Sequence, residues 1–470
     1  MNKESAIEYF DKISSQRDKW KNKNKYYHQE IKSLLTFLIP ENSKVLEIGC
    51  STGDVLADVK PKYGVGIDIS NEAVSIAKKK YPHLFFLSAE AENFSIDEKF
   101  DYIILTDVIG FFKDIQSAFE QLQKVSHSKT KIIITYYNYL WEPVMFAAEK
   151  FSLKMPNPMQ NWLSKNDVTN LLYLANFEVI KTGERMLFPK YIPLLSSFFN
   201  HFLAKLPLFR KLCLVNFLVA RPMPIAKSLS TEPSVSVIIP ARNEKGNIEA
   251  AVQRLPKLGS HTEIIFVEGH SSDNTFLEIE RVKNAYPSLD IKSMIQDGKG
   301  KGDAVRKGFD AATGDILMIL DADLTVEPEE LPKFYKAIAS GAGEFINGSR
   351  LVYQLEDQSM RLLNIFANKF FSIMFSWLLD QRLKDTLCGT KVIWKEDYQK
   401  VKVGRKFFGE FDPFGDYDLL FGAAKLNLKI IDLPIRYQAR TYGTTNISRF
   451  SHGWLLLKMC FFAMKKIKFI

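Results

Sequence analysis

At 470 residues the chain is too long for one ordinary hydrophobic core and implies about two to three domains. An apolar fraction of 46% beside 25% charged residues excludes a disordered or fibrous chain. The net charge of +9 favours anionic partners such as nucleotides or phospholipid head groups, while nucleic acid is set aside because no basic-aromatic recognition motif accompanies it.

The N-terminus, MNKESAIEYFDKISSQRDKWKNKNKYY, is charged and lacks the apolar stretch of a secretory leader, so the expected compartment is the cytoplasm. Cys50, Cys213, Cys388 and Cys460 form no CxxC pair and read as buried free thiols. A membrane span needs about 20 nearly uninterrupted apolar residues, and none is present. Segments 186–222, 361–379 and 453–464 come nearest, each broken by lysine or arginine, and are suited to lying on a bilayer without crossing it.

In the first half, KVLEIGC (44–50), YGVGIDI (63–69), FDYIILTD (100–107) and TKIIITYY (130–137) are short β-rich runs separated by helix-like stretches. That alternation predicts a parallel, doubly wound α/β sheet. The turn after the first run, VLEIGCSTGDVL, has Gly49 and Gly53 where the chain must turn tightly and approach a ligand. The spacing Gly49-x-Ser51-x-Gly53-Asp54 lacks the third glycine of a dinucleotide fingerprint, and no GxxxxGK[ST] follows. Asp68 ends the next run 21 residues after Glu47, and an acid there accepts both hydroxyls of a ribose.

On VLEIGCSTG, GIDIS and AEAENFSIDEKFDYIILTD, this half resembles the class I S-adenosylmethionine-dependent methyltransferases. The resemblance implies that Asp68 holds the ribose, that Glu90 and Ala91 flank the adenine, and that Glu47, Gly49 and Gly53 face the methionine part. It also implies that Ser51, Ile69 and Asp107 lie along the cofactor. Ser51 stands where the family often has glycine. Methyl transfer needs chiefly an aligned nucleophile, and the residues name no acceptor. Tyr136, Tyr137, Tyr139 and Trp141 either line its pocket or are plain packing.

Residues 220–233, in ARPMPIAKSLSTEPS, are rich in Pro and Ser and read as a linker between a domain at 1–219 and another at 234–470. A second strand series follows at SVSVIIP (234–240), TEIIFVE (262–268), LDIKSMI (289–295) and DILMILD (315–321). Pro240, Arg242 and Glu244 sit just past one strand and Glu268 at the end of the next, where crevices form in open α/β sheets. Ser272 or Asp273 is placed to cap a helix.

These runs, with LDADL and GKGKGDAVRKGFDAATGD, closely resemble family-2 glycosyltransferases, which bind a nucleotide-sugar on a Rossmann-like GT-A sheet. The resemblance implies that Pro240, Arg242, Glu244 and Glu268 line the nucleotide. Asp321 and Asp323 would hold Mg²⁺ or Mn²⁺, hard ions that prefer oxygen, and the metal would stabilise the leaving diphosphate. Arg350 in INGSRL suits phosphate.

The block FDPFGDYDLLFGAAKLNLKIIDLPIRYQARTYGTTNISRF is closest to the branch of dolichol-phosphate-mannose synthases and related polyprenyl-phosphate glycosyltransferases. Arg440, Gly443 and Thr445 match a phosphate-contacting motif of that branch, with Asn446 where lysine is common. For a hydroxyl acceptor Asp416 is the expected general base. For a polyprenyl phosphate, already a nucleophile, it orients loops.

The segment MRLLNIFANKFFSIMFSWLL reads as either a buried or an interfacial helix, and HGWLLLKMCFFAMKKIKFI joins apolar residues to Lys458, Lys465, Lys466 and Lys468, which suits an anionic surface. The whole is expected to be a bifunctional enzyme with peripheral contact at the inner face of the cytoplasmic membrane. The alternative is a glycosyltransferase whose N-terminal half only binds S-adenosylmethionine or acts as a scaffold.

Overall fold

A computed structural model describes residues 3–224 apart from 159, then 232–350, 362–408, 417–436 with 438, 440 and 442, and 449–468. The chain divides into two compact units, Met1–Met223 and Pro224–Lys468.

The first unit is built on seven strands: β1 (Lys44–Ile48), β2 (Tyr63–Asp68), β3 (Phe85–Ser88), β4 (Phe100–Thr106), β5 (Ser126–Tyr137), β6 (Phe177–Arg185) and β7 (Val215–Pro222). Their order is β3-β2-β1-β4-β5-β7-β6. β3, β2, β1, β4 and β5 are parallel, while β7 pairs antiparallel with both β5 and β6. Parallel strands covered on both faces carry continuous apolar runs, and the Ile103–Leu105 and Ile132–Ile134 runs are fully buried. Local signals start the flanking helices: Ser70 accepts the N–H of Ala73 to cap Asn71–Lys80, and Ser164 with Asp167 forms a capping box for Lys165–Leu174. Three helices, Lys3–Ser14, Arg17–Lys23 and Lys25–Leu38, precede β1.

The expected linker begins too early in one respect. Ala220, Arg221 and Pro222 close β7, with Ala220 opposite Ile132 and the Arg221 guanidinium on Glu178 at 2.7 Å. A strand with partners on both sides leaves those residues no freedom to act as a tether.

The second unit carries β8 (Val235–Ala241), β9 (Thr262–Glu268), β10 (Asp290–Ile295), β11 (Ile316–Ile319), β12 (Phe345–Ser349), β13 (Lys391–Trp394) and β14 (Ile430–Pro434). The order is β10-β9-β8-β11-β13-β12-β14. β10, β9, β8 and β11 are parallel, and β13 enters antiparallel between β11 and β12. One continuous core packs Val237, Ile239, Phe266, Met318 and Phe334 at full burial, each side chain contributing about 1.5–3 kcal/mol. Both units are thus α/β, each with a mostly parallel seven-stranded sheet of Rossmann-like form.

Among the parallel strands of each sheet the order reverses between β1 and β4 and between β8 and β11. Crevices open at such switch points, beyond the carboxyl ends of the strands. All four cysteines are buried and free, as expected. Among the described residues no helix is long and apolar enough to cross a membrane.

Candidate functional sites

In the first unit the turn after β1 is held by its backbone. Gly49 has φ +73° and a β-carbon there would fall 2.4 Å from Val108 Cγ2, while Gly53 has φ +80°. Both positions require glycine. Ser51 also adopts a left-handed φ of +48°. The conformation is fixed by Asp68, whose Oδ2 accepts the N–H of Ser51 at 2.7 Å and whose Oδ1 accepts that of Ser70 at 2.9 Å. Asp68 therefore ties the β1 and β2 turns together, and its two oxygens keep further lone pairs for hydroxyl donors.

Glu47 is buried at the end of β1, and its Oε2, like Ser51 Oγ, has no hydrogen-bond partner. Burial holds the Glu47 carboxyl well above its ordinary range, only partly opposed by Lys21. An orphaned buried acid costs free energy unless a ligand satisfies it. These orphan atoms beside a glycine cradle fit the polar, cationic end of S-adenosylmethionine. Ile69 and Glu90 are half-buried past β2 and β3, and Ala91 is buried.

Asp107 follows β4 with φ +54°. It accepts hydrogen bonds from Tyr27 Oη and, at 2.8 Å, from Thr135 Oγ1. Burial raises its carboxyl, and those two donors partly offset the rise. A cleft beside it is lined by Gly110, Tyr136, Tyr137, Asn161 and Trp162 among others. Of the four aromatic candidates, Tyr136 and Tyr137 face this cleft, whereas Trp141 donates through Nε1 to the Leu212 carbonyl at 2.9 Å and Tyr139 is exposed.

Two contributors were invisible to motif reading because they precede β1. Tyr27 caps Asp107, and Lys21 bonds Thr52 Oγ1 at 3.0 Å and pairs with Asp54. Burial would raise the Asp54 carboxyl, but Lys21 and Lys80 together hold it below its ordinary range. No local pattern in a charged N-terminal helix marks such contacts.

In the second unit β8, β9 and β11 bring four acids to the carboxyl ends of the central strands. Glu244 is buried, and its Oε1 takes Arg440 Nη1 at 2.7 Å while Oε2 takes Asn247 Nδ2 at 2.8 Å. Arg440 Nη2 reaches Asp323 Oδ2 at 2.6 Å. Asp321 pairs with Lys301 at 2.6 Å. Burial raises the Glu244 carboxyl against the opposing pull of Arg440. Glu268, at the end of β9, accepts the N–H of Ser271 at 2.5 Å.

Pro240 is half-buried and Arg242 exposed at the rim. Asp273 accepts the N–H of Thr275, the first residue of helix Thr275–Ala285, and that of Lys245, so its role is to hold the turn. Arg350 is spent on a bidentate pair with the fully buried Asp385, at 2.7 and 2.9 Å. Asp416, Gly443, Thr445 and Asn446 lie outside the described residues.

Among the described residues no group of three or more His, Cys, Asp or Glu gathers as a metal cage. Asp321 and Asp323 nonetheless supply oxygen donors of the kind hard divalent cations take, with phosphate oxygens completing such a shell. Their present partners, Lys301 and Arg440, show that the site already stabilises carboxylates through positive charge. Lys301 was legible only as part of a glycine-rich run, and Gly389 only as a glycine. A β-carbon at 389 would meet Asp321 Oδ2 and Lys301 Nζ.

This is the architecture of a two-domain α/β transferase. Residues 20–182 match a methyltransferase domain and residues 236–401 match glycosyl transferase family 2. The chain thus joins a methyltransferase domain to a family-2 glycosyltransferase domain. It is 30% identical over 222 residues to a dolichol-phosphate mannosyltransferase of Pyrococcus furiosus, covering 45% of this chain and 59% of the relative. Against a low-salt glycan biosynthesis hexosyltransferase of Haloferax volcanii it is 27% identical over 234 residues, covering 47% and 52%. The chain spans about half the length of these curated relatives. Among solved structures, a methyltransferase of Thermotoga maritima described as a possible histamine N-methyltransferase has a TM-score of 0.37 at 18% identity, covering 46% of this chain and 99% of that one.

Proposed function

We propose that the chain is a bifunctional enzyme: its first domain moves a methyl group from S-adenosylmethionine, and its second moves a sugar, with inversion, from a nucleotide-sugar. The sugar acceptor is a polyprenyl phosphate or another membrane-associated glycan or lipid, a reading supported by the likeness to a dolichol-phosphate mannosyltransferase. The carrying observation is the convergence of Glu244, Asp323 and Arg440 in one clamp, with Asp321 and Lys301 beside it.

In this reading Asp321 and Asp323 would hold Mg²⁺ or Mn²⁺, and such an ion would supply charge neutralisation for a diphosphate leaving group. Arg440 and Lys301, released from the carboxylates, turn to phosphate oxygens. Glu244 and Arg242 with Pro240 bound the nucleoside, and Glu268 shapes the floor of that pocket through Ser271. Arg350 acts indirectly, by fixing the Asp385 turn that carries Gly389 past Asp321. Asp416 is the general base if the acceptor is a hydroxyl.

In the first domain Asp68 receives the ribose, Glu90 and Ala91 border the adenine, and Glu47, Gly49, Ser51 and Gly53 receive the methionine end. Ile69 and Asp107 complete the wall. The orphaned Glu47 Oε2 and Ser51 Oγ favour a ligand-holding site over a bare scaffold. The protein works in the cytoplasm, peripheral at the inner membrane face, with helices Leu362–Leu379 and Arg449–Ala463 offering exposed Ile373, Trp454 and Phe461 to lipid.

A screen of nucleotide-sugars against polyprenyl phosphate and simple hydroxyl acceptors, run with and without chelator, tests the second activity. Titration with S-adenosylmethionine tests the first: no binding at millimolar concentration removes the methyltransferase claim.

A further inference from the structure

The first unit carries an exposed apolar face that neither activity uses. Between β6 and β7 the chain runs from Met186 to Leu214 through short helical turns, Leu195–Ser197, Phe198–Phe202, Leu203–Lys205 and Pro207–Arg210. Leu194 is 88% exposed and Leu208 77%. Tyr191, Phe198, Phe202 and Leu212 are exposed beside them, with the Phe198 and Phe202 rings stacked 5.7 Å apart. Leu194 also holds a left-handed φ of +63°, a conformation that a branched apolar residue adopts at a cost, here at the most exposed point of the segment.

A second exposed run joins this one. In helix Glu142–Lys150 and just beyond, Phe146 and Phe151 are each 72% exposed. The two runs are stitched together: Trp141 Nε1 donates to the Leu212 carbonyl at 2.9 Å, and Asn138 Nδ2 donates to the carbonyls of Lys211 and Cys213, both at 2.9 Å. Soluble surfaces scatter single apolar residues, but a contiguous apolar patch marks a contact surface.

Charge selects the occupant. From 186 to 214 the sequence holds Lys190, Lys205, Arg210 and Lys211 and no aspartate or glutamate; Lys205 is buried and Arg210 pairs with Glu184, while in the second run Glu149 is paired with Lys154. Lys190 and Lys211 are exposed at the edge of the patch. Apolar and aromatic side chains flanked by two exposed lysines, on segments too short to span a bilayer, are the chemistry of an interfacial anchor on anionic lipid.

We propose that the first unit docks on an anionic bilayer surface through the face formed by Tyr191–Leu212 and Phe146–Phe151. The anchor is separate from the helices of the second unit. The cleft beside Asp107 lies next to this face, since Tyr137 lines the cleft and Asn138 and Trp141 hold the 211–213 segment. Resting on the methyltransferase reading, the methyl acceptor then enters from the lipid surface. The docking itself stands without that reading.

The test is flotation of the full chain with vesicles of phosphatidylcholine alone and of phosphatidylcholine mixed with phosphatidylglycerol. Leu194→Asp with Leu208→Asp, both at exposed positions, is expected to cut binding to the anionic vesicles by about tenfold or more, with S-adenosylmethionine binding unchanged as the check on folding. Lys190→Glu with Lys211→Glu is expected to reduce binding to the anionic vesicles only. Leu277→Asp, exposed on the second unit, serves as the control and leaves binding unchanged. The proposal is overturned if the Leu194/Leu208 variant floats like the parent protein while Trp454→Asp with Phe461→Asp abolishes flotation. It is equally overturned if the Leu194/Leu208 variant turns a dimer into a monomer without altering flotation, which makes the face a contact between copies. Absence of methyl transfer by the parent protein, with its flotation intact, counts against the methyltransferase reading alone.

Discussion

Gly389 lies against Asp321 so closely that a β-carbon at 389 would fall 1.9 Å from Asp321 Oδ2. The strand β13 and the turn before it therefore form one wall of the carboxylate site, and only glycine leaves room for it. A misplacement of about 1 Å costs about a hundredfold in rate. We expect Gly389→Ala to lower glycosyl transfer by about that factor with S-adenosylmethionine binding intact. Near-parental turnover would remove Asp321 from the reaction.

Asp323 and Glu244 share Arg440. Asp323→Ala takes one carboxylate from Arg440 and removes one of the two carboxylates proposed to hold the metal. Nucleotide-sugar turnover is expected to fall by about 10²–10³. Initial rates with and without chelator check this: unchanged turnover in the variant under chelation refutes the metal mechanism.

Arg350 and Asp385 form a buried pair in which Arg350 overcomes the effect of burial and holds the Asp385 carboxyl below its ordinary value. Removing one member of such a pair costs about 3–5 kcal/mol. Arg350→Ala is therefore expected to lower the unfolding temperature of the second unit, and Arg350→Lys to rescue it poorly for want of a fork. Because the Asp385 carboxyl is depressed, the pair's contribution is present above the ordinary carboxylate range and is lost as pH falls through the folded value. A variant with a raised KM and unchanged calorimetric stability would instead make Arg350 a donor ligand.

Burial raises the Glu47 carboxyl well above its ordinary 4.5. Such a group contributes stability that is full below the unfolded value and is lost as pH rises through the folded one. Glu47→Gln should match the parent protein at about pH 4 and exceed it in stability at about pH 8. A cationic ligand favours the ionised acid, so S-adenosylmethionine should bind more tightly as pH rises and release a proton. Calorimetry in buffers of different ionisation enthalpy reads this directly, and identical heats would disprove the linkage.

Ser51 pays for a left-handed backbone at φ +48°. Relief of that strain, about 1–2 kcal/mol, outweighs the entropy that glycine adds to the unfolded chain, about 0.5–1 kcal/mol. Ser51→Gly should raise stability modestly, by about 0.5–1 kcal/mol. A loss in equilibrium denaturation would mean that Ser51 Oγ contributes a contact worth more than the strain.

Much of the two sheets was legible because their central strands are short apolar runs that end in Gly, Pro or acid. The runs at 44–50, 63–69, 262–268 and 315–321 contain β1, β2, β9 and β11. β6 escaped notice because it is an edge strand with polar residues interleaved, and β7 because it is reached only after a long excursion and enters antiparallel between β5 and β6. β13 escaped because it joins the parallel series in reverse, after a helix, from a point some 70 residues beyond β11 in the chain.

The sequence by itself determined the two-domain α/β plan and the acids at the strand ends, since strand periodicity and turn residues are local properties. Only the tertiary structure decided what those acids touch. Arg440 spans Glu244 and Asp323 from a loop far along the chain, Arg350 turns to Asp385, and Tyr27 reaches Asp107 from a helix before the first strand. The physical reason is that ion pairs and hydrogen bonds act over a few ångströms in space, whatever the separation in sequence, and packing alone sets which charges meet.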